Sequence, residues 1–351
     1  MTHFGIDLPR LALSASALCL VACSAPADTV IPETAPAESG DVTTPTAAAE
    51  AGPAPNAQTS NTQDTERNMT LNGLSGLFHD VGPDAPVVLI VPGSGPTDRD
   101  GNNPMGVNSD MYRMIADGLA LEGVSSLRVD KRGMFASSAA GNPNTVTAAL
   151  YAQDYRDWSS FLRQETGREC IFLMGHSEGA LMVSAATLGT DGVCGLVLAA
   201  APGRPLGDIL RDQFAANPAN APIMEDAMRA IGTLEGGERV DVSAMHPALQ
   251  AIFDPSVQDF LISTLALDPV ALVSDANVPV LVLQGDRDLQ VSVEDARRLE
   301  AAGAELVMIE GSNHLLKDAP VDRAGNLATY ADPSLPLSNG VVEAVAAFVK
   351  G

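Results

Sequence analysis

Apolar residues along this chain gather in short unbroken runs, and stretches with helical spacing separate them. Residues 86–91, 171–174, 196–201 and 278–283 are continuous apolar runs, the pattern of strands covered on both faces of a parallel sheet. Residues 71–78 alternate apolar with small or polar side chains, as one half-exposed strand does. Residues 126–130 and 305–309 complete the strand set. Helical intervals appear at 111–121, at 147–165, at 180–186, from 292 or 293 to 299, and at 341–349, with Asp110 placed to cap the first. Strands spaced by helix-length segments predict an α/β fold, a mostly parallel central sheet with helices on both faces.

Between 203 and 275 the pattern changes. No stretch there reads as a strand, and short helical pieces at 206–214, 223–231, 247–253 and 257–265 are separated by Gly, Pro and Asn. This is the signature of a helical cap inserted between two strands. The bland reading is a surface excursion with no role in substrate choice. The sheet domain is then 68–202 together with 276–351.

The N-terminus is of a different kind. Arg10 precedes an apolar core at 11–20 that is too short to span a bilayer. The core ends in Leu20-Val21-Ala22-Cys23, which resembles the bacterial lipobox. That resemblance implies a signal peptide at 1–22 and a lipid on the Cys23 sulfur, an anchor in the cell envelope without a transmembrane helix. Ser24 after the cysteine favours the outer membrane, and the weakly basic start leaves plain secretion as the alternative. From 23 to 67 the chain is Ala, Pro, Thr, Ser, Glu and Asn with almost no large apolar residue, so it reads as a flexible tether.

Charge and cysteine content narrow the partners. A net charge of −24 argues against nucleic acid and against anionic membrane surfaces. No Cys or His pair has metal-ligand spacing, so no metal site is expected. With Cys19 and Cys23 at the N-terminus, Cys170 and Cys194 remain, each at the start of an apolar run. Parallel neighbouring strands would bring the two within disulfide reach in an oxidising compartment; two buried free thiols are the other outcome.

The chemistry centres on Gly175-His176-Ser177-Glu178-Gly179, set between a strand-like run and a helix-like one. Strand, sharp turn and helix are the context in which a G-x-S-x-G pentapeptide exposes a nucleophilic serine. The Glu178 amide, at the helix start, is placed to donate to an oxyanion. A second Gly-rich turn, 92–103, follows the apolar run 86–91 and leaves backbone N–H groups free to face a ligand. It lacks the Lys and Ser/Thr of a nucleotide-binding loop. A serine needs a base, and of the five histidines only His314 follows a late strand. His176, inside the turn, reads as packing. Asp286 and Asp288 both qualify as the acid, and strand position does not separate them.

These motifs together resemble the α/β-hydrolase superfamily from about residue 68 to 350. They are similar, more narrowly, to bacterial serine esterases of the serine-aminopeptidase-like group. The resemblance is carried by Gly93-Ser-Gly-Pro-Thr-Asp-Arg-Asp-Gly-Asn102, Asp130-Lys-Arg-Gly133, Gly175–Gly179, Gly285-x-x-Asp288-x-Gln-Val291 and Asn313-His314. It implies the α/β-hydrolase fold, Ser177 as nucleophile, His314 as base and Asp288 as acid. It also implies oxyanion donors in the backbone amides of Ser94 and Glu178, no cofactor, and a small-molecule ester, of short acyl chain, as substrate. Two readings stand beside it, a peptidase-like amide hydrolase and a tethered lipoprotein without turnover. Asp98, Arg99 and Asp100 read as an ion-pair network pinning the 92–103 turn, with Arg99 as a ligand for a substrate carboxylate the alternative. Asp130-Lys131-Arg132 reads as a brace for the serine turn. Oligomeric state is not readable from the sequence.

Overall fold

The computed structural model describes residues 65–351; the expected signal peptide, Cys23 and the tether up to residue 64 lie outside the described residues. Strand β1 (Thr65–Leu71) pairs antiparallel with β2 (Leu74–Asp80), from Thr65 opposite Asp80 to Leu71 opposite Leu74. The single strand expected across 71–78 is therefore a hairpin. Asn72 and Gly73 both sit at positive φ, 50° and 81°, the conformation a two-residue turn between twisted strands requires. Residues 65–67, assigned to the tether, belong to β1.

Six further strands follow: β3 (Val87–Val91), β4 (Ser125–Val129), β5 (Ile171–His176), β6 (Val193–Ala199), β7 (Val280–Gly285) and β8 (Glu305–Ile309). They form one sheet in the order β1-β2-β4-β3-β5-β6-β7-β8. The β2–β4 pair is antiparallel and every pair from β4 to β8 is parallel. The apolar runs behave as their composition demands, since every residue of β3 and β7 is buried. Successive side chains of β3 serve opposite layers. Val88 and Ile90 pack with α1 (Met111–Leu121) and the C-terminal helix Val341–Lys350, through Ile115, Leu119, Val341 and Val345. Leu89 and Val91 pack with α2 (Ala148–Thr166) and α3 (Glu178–Thr187), through Trp158, Leu162, Leu181 and Val183. Each fully buried aliphatic side chain of this kind contributes about 1.5–3 kcal/mol of transfer free energy, so both layers hold the sheet.

Asp110 occupies the N-cap of α1, but at φ 54° and without a capping hydrogen bond. Its carboxylate instead accepts from Asn102 Nδ2 at 2.7 Å and from Arg113 at 2.6 Å. The cap expected from sequence is a brace for the preceding loop.

Between β6 and β7 lie α4 (Leu206–Ala216), α5 (Met224–Glu235), α6 (Pro247–Ile252), α7 (Gln258–Leu265) and α8 (Pro269–Ser274). The first four share an apolar cluster of their own, including Leu210, Phe214, Ile231, Leu249 and Phe253. The fifth is different: Leu272 and Val273 pack into the sheet layer. Cys170, one residue before β5, is bonded to Cys194 in β6, their Cα atoms 5.1 Å apart, because the two strands are parallel neighbours. Among the described residues, no helix is long and apolar enough to cross a membrane.

Candidate active site

Strand β5 delivers His176, and α3 begins at Glu178, so one residue makes the turn between them. Ser177 takes φ 53° and ψ −122°, a conformation that costs a non-glycine residue about 1–3 kcal/mol. Its neighbours explain how the turn is tolerated. A Cβ on Gly175 would lie 2.4 Å from the Gly179 carbonyl oxygen, and one on Gly179 would lie 2.6 Å from that of Pro92. Only glycine fits at either place, and the packing that excludes larger residues holds the strained serine.

His314 follows β8 on a loop tied by Asn313. The Asn313 side-chain oxygen accepts from the Leu315 N–H at 2.9 Å, and its Nδ2 donates to Thr329 Oγ1 at 2.7 Å. His314 Nδ1 stands 2.8 Å from Asp288 Oδ2, with both side chains buried. A carboxylate only accepts, so Nδ1 carries the proton and Nε2 presents a lone pair. Asp288 Oδ1 is fixed by the N–H groups of Gln290, at 2.7 Å, and Val291, at 2.9 Å. Gln284, an unremarkable residue in the sequence, adds a bond from Nε2 to Asp288 Oδ2 at 3.3 Å. Asp286 accepts from the Gly311 N–H at 2.7 Å and has the turn-holding role. The structure thus separates two carboxylates that strand position left equivalent.

His176 is more than packing, which corrects the sequence reading. Its Nε2 lies 2.8 Å from the His314 carbonyl oxygen and its Nδ1 lies 2.9 Å from the Tyr112 hydroxyl. Burial pushes the imidazole down to about 3, so it is neutral, and a carbonyl can only accept. Nε2 therefore donates to His314, and Tyr112 donates to Nδ1. The Tyr112 oxygen in turn accepts the Gly93 N–H at 2.9 Å. One chain of hydrogen bonds joins the 92–103 turn to the backbone of His314. Tyr112 gave no signal in the sequence beyond its place on an amphipathic helix.

The same turn is gripped from its other side. Lys131 Nζ donates to the Gly93 carbonyl oxygen at 2.6 Å in a buried setting. In a trans peptide C=O and N–H point oppositely, so the Ser94 N–H is aimed away from Lys131. Glu178 lies close enough to feel the Lys131 charge. Burial raises the Glu178 carboxyl, while Lys131 and the Ser94 hydroxyl pull it back down. Arg99 donates to Asp130 through Nε at 2.9 Å and to Ser75 Oγ at 2.9 Å. Asp98 Oδ1 accepts the N–H groups of Asp100 and Asn102, both at 2.9 Å. Asp100 pairs with Arg128, which also reaches Glu66 at 2.6 Å. The ion-pair network expected around 98–100 is present, and Arg99 is engaged in it. The brace assigned to Asp130-Lys131-Arg132 holds different partners than expected. Asp130 and Lys131 secure the 92–103 turn, and Arg132 binds Asp154 of α2 through Nε at 2.8 Å.

Ser177 and His314 open onto a cavity of about 250 Å³, bounded by Met105, Val107, Leu315, Leu327 and Tyr330. Ser94, Ser177 and Gln290 also border a smaller space of about 30 Å³ beneath α4, formed with Leu206, Ile209 and Val291.

A serine on a strand-to-helix turn, an aspartate after a later strand and a histidine after the last define a class of α/β folds built around a nucleophile. Residues 87–328 match the Alpha/beta hydrolase family, and the chain belongs to it. It is 29% identical over 273 residues to "Esterase EstD" of Thermotoga maritima, a match covering 73% of this chain and 62% of that protein. The chain thus spans less than two thirds of that relative's length. In fold it is similar to Est1E of Butyrivibrio proteoclasticus with ferulic acid bound: TM-score 0.50 at 16% identity, over 81% of this chain and 96% of the other.

Proposed function

We propose that this protein hydrolyses carboxylic esters through an acyl-enzyme on Ser177. The observation that carries the reading is the buried His314–Asp288 pair opening on the same cavity as a serine held at φ 53°. The relative named as an esterase supports it. Ser177 Oγ attacks the ester carbonyl as His314 Nε2 takes its proton, and Asp288 stabilises the imidazolium. The oxyanion is received by the N–H groups of Ser94, oriented by Lys131, and of Glu178, at the start of α3. The imidazolium returns its proton to the departing alkoxide, so the alcohol leaves. A water molecule, deprotonated by His314, then releases the carboxylic acid and frees Ser177. No step calls for a cofactor.

A peptidase that grips a free amine needs a carboxylate in its substrate space. Among the described residues, no Asp, Glu, Lys or Arg lines the larger cavity, which favours an uncharged ester. The test is hydrolysis of p-nitrophenyl acetate by the purified protein beside Ser177→Ala, with a fluorophosphonate label read at Ser177. Turnover lost in the variant, and label confined to the wild type, is expected. Neither turnover nor label in the wild type overturns the proposal, and label without ester turnover moves it to amides.

The helical insertion acts in this reading as a cap over one side of Ser177. The lipobox-like Leu20–Cys23 supports a lipid anchor in the cell envelope, with secretion the alternative. The Cys170–Cys194 bond supports an oxidising compartment, and a Cys23→Ala variant released from the membrane fraction is the expected check.

A further inference from the structure

The two spaces that meet at Ser177 are not equivalent, and His314 tells them apart. During acylation the leaving oxygen takes its proton from the His314 imidazole, so that oxygen and the group it carries lie on the His314 side of Ser177. His314 borders the larger cavity and is not among the residues of the smaller one. The larger cavity therefore receives the alcohol. The carbonyl oxygen is held between the Ser94 and Glu178 amides. What remains for the acyl substituent is the small space that Ser94, Ser177 and Glu178 border beneath α4.

Size and lining then specify the two halves of the substrate. A volume of about 30 Å³ is roughly that of two water-sized groups, enough for a methyl or ethyl substituent. Leu206 and Ile209 of α4 line it and are both buried, and Leu206 belongs to the insertion's own apolar cluster. The larger cavity, about 250 Å³, approaches the roughly 300 Å³ at which small-molecule sites begin. Away from Ser177, His314 and the neighbouring Ser94 and His176, its side chains are mainly apolar or aromatic, with Thr97, Asn103 and Gln290 the uncharged polar exceptions.

We infer that the substrates are acetyl or propionyl esters of bulky, uncharged alcohols, aromatic or branched. The acyl group sits beneath α4 and the alcohol between the 93–107 loop and the 314–330 segment. This rests on the ester-hydrolase reading and specifies its substrate class.

Two matched series test it with the purified protein. In the first, p-nitrophenyl esters run from acetate to octanoate. In the second, acetates run from ethyl to phenyl, naphthyl and menthyl. A misfit methylene in an apolar pocket is worth about 10-fold or more in kcat/KM. We expect at least that fall between propionyl and hexanoyl, and a rise with alcohol size. Ile209→Ala, with Ile209→Val as the milder variant, should move the acyl optimum to longer chains and leave the alcohol ranking unchanged. Met105→Trp should lower kcat/KM for naphthyl and menthyl acetates about 10-fold more than for ethyl acetate. Normal turnover with hexanoyl preferred over acetyl, or Ile209 variants that change the alcohol ranking instead, overturns the assignment while leaving the esterase reading intact. No ester turnover by the wild type, with Ser177 unlabelled, removes both.

Discussion

Two regions flank Ser177, and they are built on opposite principles. The 92–103 turn is pinned by charge taken out of water. Arg99 and Asp130 are almost wholly buried, Arg128 more so, and Lys131 donates its buried ammonium to the Gly93 carbonyl. Apart from Arg204 at its edge, which reaches the buried Asp295, the 203–275 insertion keeps its charges largely outside. Arg239 and Asp259 pair at 2.6 Å with each more than half exposed, and an apolar cluster holds the helices together. Removing one partner of a buried pair costs about 3–5 kcal/mol, because the other charge is stranded. An exposed pair is worth about 0.2–1 kcal/mol. In the proposed reaction the division follows two tasks. A backbone amide serving an oxyanion must be aimed closely, and charged hydrogen bonds are directional. A wall that shapes substrate space needs only volume, so it can rest on apolar packing and be altered without moving the amide.

The sharpest test of that contrast is Lys131→Met. Loss of the Nζ bond frees the Gly93–Ser94 peptide to rotate, and kcat should fall about 10²–10³-fold, the cost of one oxyanion donor. Lys131 also pulls the buried Glu178 carboxyl down against the effect of burial, so its loss leaves that carboxyl raised further. KM for a small ester should change little, while the melting temperature should fall, because the buried Gly93 carbonyl loses its charged donor; steady-state kinetics beside a thermal melt decide it. An equal loss of kcat in an insertion variant such as Arg239→Ala would break the comparison.

A smaller effect concerns His176, which ties the pinned turn to His314. In the fold it stays neutral down to about pH 3, but once unfolded it takes a proton near 6.5. Below pH 6.5 the unfolded chain binds the extra proton, so this stability is present above that pH and is lost as pH falls toward 3. The slope is at most about 1.4 kcal/mol per pH unit. Urea unfolding at pH 5.5 and 4.5 should show that excess loss in the wild type and not in His176→Gln.

Smallest of all is the expected change in Arg239→Ala. The exposed pair with Asp259 should contribute less than about 1 kcal/mol to the unfolding free energy. Ester kinetics should be those of the wild type. A larger loss of stability would mean that the insertion, too, is held by its charges.

Much of this architecture was legible because burial leaves a periodic trace. The runs that became β3, β5, β6 and β7 are apolar throughout because both sheet faces are covered. The serine turn was legible because its steric demand admits only glycine at 175 and 179. The β1–β2 hairpin was missed although Asn72-Gly73 interrupts the alternation with the dipeptide a two-residue turn favours; the mainly polar β1 carried no apolar run to mark it as a strand. His176 was misread because its role lies in two partners remote in the chain, Tyr112 and His314. Lys131 was recognised as a brace, but a long side chain does not say whose carbonyl it reaches.

What the sequence determined by itself was most of the elements, their order and the residue types able to do acyl chemistry, since these depend on local periodicity and on side-chain functional groups. Position in the chain left Asp286 and Asp288 equivalent and only resemblance pointed to Asp288; tertiary structure decided which of them faces His314, which peptide Lys131 orients, and how unequally the space around Ser177 is divided. Those are contacts between segments far apart in the chain, and packing of the whole fold is what sets their distances.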